Sequence, residues 1–290
     1  MPVFSLVIST KGRDAELFHL FQSLEAQEMQ DFDVIIVDQN DTPLLAPLVS
    51  RSWSFPVAHL PCQGQRGLSR GRNVGWRRAA GDFILFPDDD CWYDAGFLRR
   101  AKALIDTTGA DVLTGRAANE AGGSINGRFE ATAQQATRNS VWTTQIEWVA
   151  FFRRSLLQTL GGYDELVGVG AASPWQACEG QDIVLRALQQ GALCWYDPNV
   201  FGHHAVIEVS DPDANTIRKG RAYGRGMGFV LRKHRFGWLE RLYWVLRPMA
   251  RAAIASIRLQ GSCARYYANV ALGRLEGALG KTLEASPSRA

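Results

Sequence analysis

Three consecutive carboxylates, Asp88-Asp89-Asp90, follow directly on the short apolar run 83–86 and Pro87. Adjacent like charges raise one another's pKa and cost stability unless something compensates them. A hard divalent cation, Mg2+ or Mn2+, would do so, taking oxygen ligands and leaving places for water and phosphate oxygens. A solvated acidic turn is the alternative reading. The strand-end position argues for a ligand site, because open α/β sheets gather ligands beyond the carboxyl ends of their strands.

Further polar residues stand at comparable positions. Thr10, Lys11 and Arg13 follow the apolar run 3–9, and Asp38-Gln39-Asn40-Asp41 follows the run 32–37. A carboxylate there can accept hydrogen bonds from a ribose or a base, whereas turn chemistry or helix capping is the structural alternative. The stretch 64–73, GQRGLSRGRN, sets arginines on a glycine-rich turn leading into a helix, a combination suited to pyrophosphate. It is neither a dinucleotide-binding fingerprint nor a P-loop.

Alternating elements must position these groups. Strands are expected at 3–9, 32–37, 57–60, 83–86, 111–113 and 193–196. Helices are expected at 14–28, 67–80, 94–105, 151–160 and 182–190, the fourth ending at Gly161-Gly162. Strands alternating with helices imply an α/β fold, a mostly parallel sheet flanked by helices. Residues 116–146, rich in Ala, Gly, Asn, Gln and Thr, read as a loop region covering substrate.

Composition narrows the class. The 290 residues are 46% hydrophobic and 21% charged, near the globular average, which excludes a disordered or collagen-like chain. No stretch is apolar enough to span a membrane, and the opening MPVFSLVIST reads as a first strand rather than a signal peptide. Five scattered cysteines without a CxxC pair suggest free thiols in a reducing compartment. The net charge of +3 is uneven: eleven Lys/Arg and one acidic residue fall in 218–258, leaving 21 basic and 28 acidic residues elsewhere. A basic segment on an acidic body points to a polyanionic partner, a membrane surface or nucleic acid.

Taken in order, FSLVIST…R, VIIVDQND, GLSRGRNVGWRRAAGDFILFPDDD, LGGYDE, EGQDIVLRAL and WYDPNVFGHH resemble the family 2 glycosyltransferases over about residues 3–210. The resemblance implies a GT-A (Rossmann-like) fold and transfer of a sugar from a nucleotide diphosphate sugar (UDP, GDP or dTDP linked) to an acceptor hydroxyl. Transfer would proceed with inversion and usually with Mg2+ or Mn2+. It further implies that Thr10, Arg13 and Asp38 hold the nucleoside and that Arg72 and Asn73 lie near the nucleotide. Asp88 and Asp90 would form the DxD motif, with Asp90 as metal ligand, Asp88 nearer the ribose or sugar, and Asp89 between them also on the nucleotide sugar. His204 would complete the metal shell or touch the diphosphate. Asp164, in a turn like the family's GGFDE, would meet donor or acceptor sugar. Trp148 is a candidate for stacking on a sugar ring, with core packing as its alternative.

The catalytic base departs from the pattern. The family commonly has ED-x-DL…R. Aligned on Arg186, the second member of the acidic pair falls on Gly180, while Glu179 and Asp182 keep carboxylates. Three residues apart at a helix start, both can face one cleft. Asp182 can instead cap the helix, so Glu179 is preferred and Asp182 retained. The broken pair also admits a non-catalytic nucleotide-sugar or membrane-binding module. Another nucleotide-sugar enzyme, such as a nucleotidyltransferase, would need a nucleotide-loading glycine loop that residues 9–13 do not supply.

A GT-A domain is thus expected over 1–210 and a basic helical extension over 211–290. In 236–259, Glu240, Arg247, Arg251 and Arg258 fall within about 40° of a helical wheel, and Trp238, Leu239, Leu242, Trp244 and Leu246 occupy the remainder. This is the profile of an in-plane membrane helix, which Pro248 should kink or divide. Docking on the catalytic domain and a dimer interface are the alternatives, and no nucleic-acid motif is present. The expected setting is cytoplasmic, peripheral at the inner membrane face, with a saccharide or lipid-linked acceptor.

Overall fold

The computed structural model describes residues 1–207 and 209–283. These form two compact units: residues 1–164 with 183–207, and residues 165–182 with the described residues from 209 onward.

The first unit contains β1 (Phe4–Thr10), α1 (Ala15–Glu25), β2 (Phe32–Asp38), the short α2 (Ala46–Val49), β3 (Val57–Pro61), α3 (Leu68–Trp76), β4 (Phe83–Leu85), β5 (Cys91–Trp92), α4 (Phe97–Thr108), β6 (Val112–Ala118), β7 (Gln134–Gln135), β8 (Phe151–Arg153) and α5 (Arg154–Leu160). Then come α6 (Glu179–Gln189), whose first turn belongs to the second unit, and β9 (Cys194–His204). Among the described residues one sheet has the order β3-β2-β1-β4-β8-β6-β9-β5, with β7 also on β9. Strands β3, β2, β1 and β4 are parallel, as are β6 and β9, and β8 runs antiparallel between β4 and β6.

Alternate β1 side chains serve opposite faces, as a strand requires. Phe4, Leu6 and Ile8 join Leu17, Leu20 and Phe21 of α1 in the core. Val7 and Ser9 face α3, which can lie this close because residues 71 and 75 are glycine. A Cβ at Gly71 would stand 2.0 Å from Ser9 Oγ, and one at Gly75 2.3 Å from Val7 Cγ1.

Several elements differ from expectation, and β6 runs on to Ala118, into the stretch read as loop. Residues 151–153 are strand rather than helix, with α5 starting only at Arg154. Phe151 and Phe152 are fully buried inside the sheet, and a run buried on both faces has the same apolar signature in either conformation. The last strand does not stop at residue 196. The β6–β9 register slips between Thr114 and Arg116, where Arg116 Nε donates to the Pro198 carbonyl at 2.7 Å, and β9 continues to His204. Finally, α8 (below) passes Pro248 unbroken.

The second unit joins residues 165–182 to α7 (Ala214–Lys233), α8 (Trp238–Ile257) and α9 (Gly261–Leu279). Trp175 stacks on Phe229 at 4.6 Å between ring centroids. Helices α7 and α9 meet along glycines four apart: a Cβ at Gly224 or Gly228 would strike the carbonyl oxygen of Val270 or Arg274, and one at Gly273 or Gly277 that of Arg221 or Arg225. Within this seam the fully buried Glu276 accepts from Arg221 Nη2 at 2.7 Å and Arg225 Nε at 2.6 Å. In α8, Pro248 cannot donate to the Trp244 carbonyl one turn back, and Arg274 Nη1 of α9 donates there instead, at 2.7 Å.

Burial works against the Glu276 carboxylate, yet Arg221, Arg225 and the Leu283 amide carry its pKa down to about 2 from the ordinary 4.5. A depressed pKa stabilises the fold fully above the unfolded value and loses that contribution as pH falls toward the folded one. Chemical denaturation across pH should therefore show stability falling between about 4.5 and 2. Glu276→Gln should lower stability at neutral pH by roughly 3–5 kcal/mol, since it strands buried cations, and should flatten that acid limb.

Candidate active site

The chain runs from β1 outward through β2 and β3, then returns to place β4 on the other side of β1. The crevice between the carboxyl ends of β1 and β4 is the point of reversal at which open α/β sheets bind ligands. The aspartate triplet stands there, and each member has its own partner.

Asp89 accepts from Thr10 Oγ1 at 2.7 Å and from Arg13 Nη1 at 2.6 Å, which ties the residues after β4 to those after β1. Asp90 meets the same Arg13 through one oxygen and His204 Nε2, at 3.2 Å, through the other. Asp88 accepts from Nη2 of the fully buried Arg72 at 2.9 Å. Arg72 Nη1 also lies 3.7 Å from a Glu147 oxygen and its guanidinium 5.3 Å from the centre of the Tyr163 ring.

These environments push the three carboxylates apart. Burial raises Asp88 to about 7; Arg72 opposes the rise, while Glu147, Asp90 and Asp89 add to it. Burial also raises Asp89, against the pull of Thr10 and Arg13. For Asp90 burial is outweighed by His204 and Arg13, and its pKa falls; the same hydrogen bond to Asp90 raises His204.

Asp38 ends β2 level with Thr10. Its carboxylate meets His59 Nε2 at 2.9 Å and accepts from the Asn40 backbone and side-chain amides at 2.9 and 2.7 Å. Asn40 Oδ1 in turn accepts from the Gly12 amide at 2.6 Å, joining the loops after β1 and β2.

Asn73 is engaged otherwise. Its amide donates to the Tyr163 carbonyl at 2.9 Å, and its Oδ1 accepts from the Tyr163 amide at 2.8 Å and Trp76 Nε1 at 3.1 Å. It thus clamps the turn that bears Asp164 onto α3. Gly162 in that turn has φ +85°, and a Cβ would lie 2.3 Å from Asn73 Oδ1, so both backbone freedom and space require glycine there. Arg186 holds the turn from the other side through the Leu160 and Gly162 carbonyls at 3.0 and 2.6 Å. Trp148 is buried, with its ring 5.8 Å from that of His204.

Within the second unit, Glu179 and Asp182 are buried in the first turn of α6. Asp182 Oδ1 meets both Lys233 Nζ and His234 Nε2 at 2.7 Å. Glu147 and His59 were not singled out from the sequence. Glu147 sits where the chain has little periodic signal and is linked to Arg72 only by folding.

A cation implied by this fold can be tested against the donors. Among the described residues no three His, Cys, Asp or Glu side chains form a ready-made metal group. Two donors do converge. His204 Nδ1 must donate to the Ala205 carbonyl at 2.8 Å, since a carbonyl only accepts, and this orients Nε2 toward Asp90 Oδ1. Their 3.2 Å separation suits adjacent ligands of one octahedral ion with bonds of about 2.1 Å. These two residues would fit as ligands of a divalent ion, whose remaining ligands would have to come from elsewhere.

Known proteins share the fold and parts of the sequence. The chain is 39% identical over 88 residues to an uncharacterized glycosyltransferase of Haemophilus influenzae, a stretch covering 30% of this chain and 29% of that protein. It is 28% identical over 148 residues to the poly(ribitol-phosphate) beta-N-acetylglucosaminyltransferase TarS of Staphylococcus aureus, covering 47% of this chain and 25% of TarS. The matches thus span less than a third of either relative's length. Among solved structures, the mannosyltransferase PcManGT of Pyrobaculum calidifontis, in complex with GDP-Man and Mn2+, shares the fold with a TM-score of 0.61 at 14% identity, over 97% of this chain and 88% of that one. TarS 1-349 in complex with UDP-GlcNAc gives 0.53 at 17% identity, over 98% and 93%. Residues 5–161, more than half of the sequence, match the profile of glycosyl transferase family 2, and the chain belongs to that family.

Proposed function

We propose that the chain is an inverting, metal-dependent glycosyltransferase that moves a sugar from a nucleoside diphosphate donor to an acceptor hydroxyl in the synthesis of a cell-surface polysaccharide or glycolipid. The observation that carries this reading is the aspartate triplet at the β1–β4 crevice, with Arg13, Arg72 and His204 on its three members.

In this reading Thr10, Arg13 and Asp38 border the nucleoside. Asp90 and His204 hold Mg2+ or Mn2+, which when bound would offset the charge that builds on the departing diphosphate. Asp88 is held by Arg72 beside the sugar, and Asp164 is offered by the turn that Asn73 clamps. Glu179 takes the proton of the acceptor hydroxyl as that oxygen attacks the anomeric carbon opposite the leaving diphosphate, so one displacement inverts the centre. The choice of Glu179 rests on the sequence motif together with the engagement of Asp182 by Lys233 and His234. The acceptor is a saccharide or a lipid-linked chain at the inner membrane face. The polymer named for TarS and the exposed apolar residues of α8 support that setting. Among the described residues no helix is long and apolar enough to cross a membrane.

Gly180 at the expected place of an acidic residue favours a second reading, a module that binds nucleotide sugars without turnover. Donor hydrolysis and transfer, measured over a panel of UDP, GDP and dTDP sugars with and without Mn2+, separate the two. Turnover with one donor supports the enzyme, and binding without turnover the module. With the active donor, Asp90→Ala should abolish the response to Mn2+; an unchanged metal titration would remove Asp90 from the cation site. Glu179→Gln should lower the transfer rate by roughly 10²–10⁴-fold with donor binding intact. A loss on that scale from Asp182→Asn in a fully folded protein, with Glu179→Gln active, would move the base to Asp182.

A further inference from the structure

Three arginines in the helical unit converge without an acidic partner among the described residues. Arg247 and Arg251, one turn apart on α8, and Arg274 of α9 line a cavity of about 190 Å³ with Tyr266 and Tyr267. Elsewhere in this basic segment Glu276 takes up Arg221 and Arg225. Among the described residues the three pocket arginines form no ion pair with a carboxylate. Arg247 lies 4.9 Å over the Trp244 ring, Arg251 5.7 Å over Tyr267, and Arg274 donates to the Trp244 carbonyl while its Nε has no hydrogen-bond partner. Burial pulls Arg274 down to about 10; the Cys178 sulfur opposes this, and Arg247 and Arg251 add to it. Guanidinium groups gathered in this way lack an anion, and their planar forks match phosphate oxygens.

A second observation says where the phosphate comes from. Trp238, Leu242, Leu246, Met249, Ile254 and Ile257 of α8 are 43–82% exposed. At 3.6 residues per turn they fall in an arc of about 160°. That arc contains no charged residue, and Arg247 and Arg251 lie just past its edge, about 20° and 60° beyond Ile254. An apolar face bordered by a basic pocket matches a bilayer surface, where hydrocarbon lies beside a layer of phosphates.

We propose that Arg247, Arg251 and Arg274 form a phosphate-binding pocket for the headgroup of an anionic lipid, with the exposed face of α8 lying in the membrane surface. The proposal rests on the membrane setting given above and is independent of the sugar chemistry.

Co-sedimentation of the full chain with vesicles tests it, using phosphatidylcholine alone or with phosphatidic acid added. Phosphatidic acid should strengthen binding, and Arg247→Gln with Arg251→Gln should weaken it roughly tenfold to thirtyfold. Arg265→Gln, exposed on α9 outside the pocket, should leave it unchanged. Leu246→Glu should weaken binding to both kinds of vesicle. Thermal melts matching the unsubstituted chain keep these comparisons valid; Arg251 is exposed and Arg247 half-buried. Equal losses from Arg265→Gln and the double variant would overturn the pocket while leaving the membrane setting. Absence of vesicle binding would overturn both. A rise in Tm with inorganic phosphate, confined to the unsubstituted pocket and without vesicle binding, would overturn the lipid in favour of free phosphate. Donor hydrolysis, assayed without vesicles, reports separately on sugar transfer.

Discussion

Three carboxylates on consecutive residues can stand together only if each is given its own positive partner, and the first unit depends on that constraint. Arg13, Arg72 and His204 come from the loop after β1, from α3 and from the end of β9. No local turn could supply all three. The reversal of strand order brings Arg13 beside the triplet, the glycines of α3 let Arg72 lie beneath it, and the slip in β9 carries His204 across to it. Even so, the balance is incomplete. Asp88, Asp89, Asp90 and Glu147 face two arginines and one histidine. A diphosphate entering such surroundings would add negative charge to an acidic site. That deficit supports a divalent cation beside Asp90 and His204 independently of family resemblance.

The parallel half of this sheet was legible because its strands are short apolar runs ending in polar residues, and strand ends are where chemistry collects. Asp88, Asp89, Asp90, Thr10 and Arg13 could therefore be selected together, whereas His204 came only from the family pattern; in the structure these side chains meet. The antiparallel half was not legible. Phe151 and Phe152 carry no period that separates strand from helix, β5 is two residues long, and Pro198 looked like an end although the slipped β6–β9 register accommodates it. Partners that exist only in three dimensions were invisible for the same reason. Nothing near Glu147 in the chain points to Arg72, and nothing near Asn73 points to the backbone of Tyr163.

The basic C-terminal stretch shows the limit of reading charge as a sum. In sequence its eleven cations form one mass, and a polyanionic partner follows for all of them. In the folded unit they separate. Arg221 and Arg225 lie in a seam so close that glycines line both sides, and the buried Glu276 from the facing helix takes both. Those charges are internal to the fold. The charge available to a partner is what stays exposed, on α7 at Arg218, Lys219 and Arg232 and on α8. The glycines of the seam recur every four residues and could have been read as a helix–helix contact, but the attention drawn by the charges hid the spacing.

Pro248 joins the two halves of that argument. A proline in a helix removes one hydrogen bond, and the carbonyl it deprives, that of Trp244, must be satisfied from outside the helix or bend toward water. Arg274 satisfies it, and α8 stays one continuous helix where a kink or a division was expected; the division is absent. The same bond draws a guanidinium of α9 toward Arg247 and Arg251. A neutral donor such as asparagine could have capped the carbonyl without adding a third charge to that corner. Placing arginine there satisfies the Trp244 carbonyl and, in the same step, leaves the pocket short of an anion among the described residues.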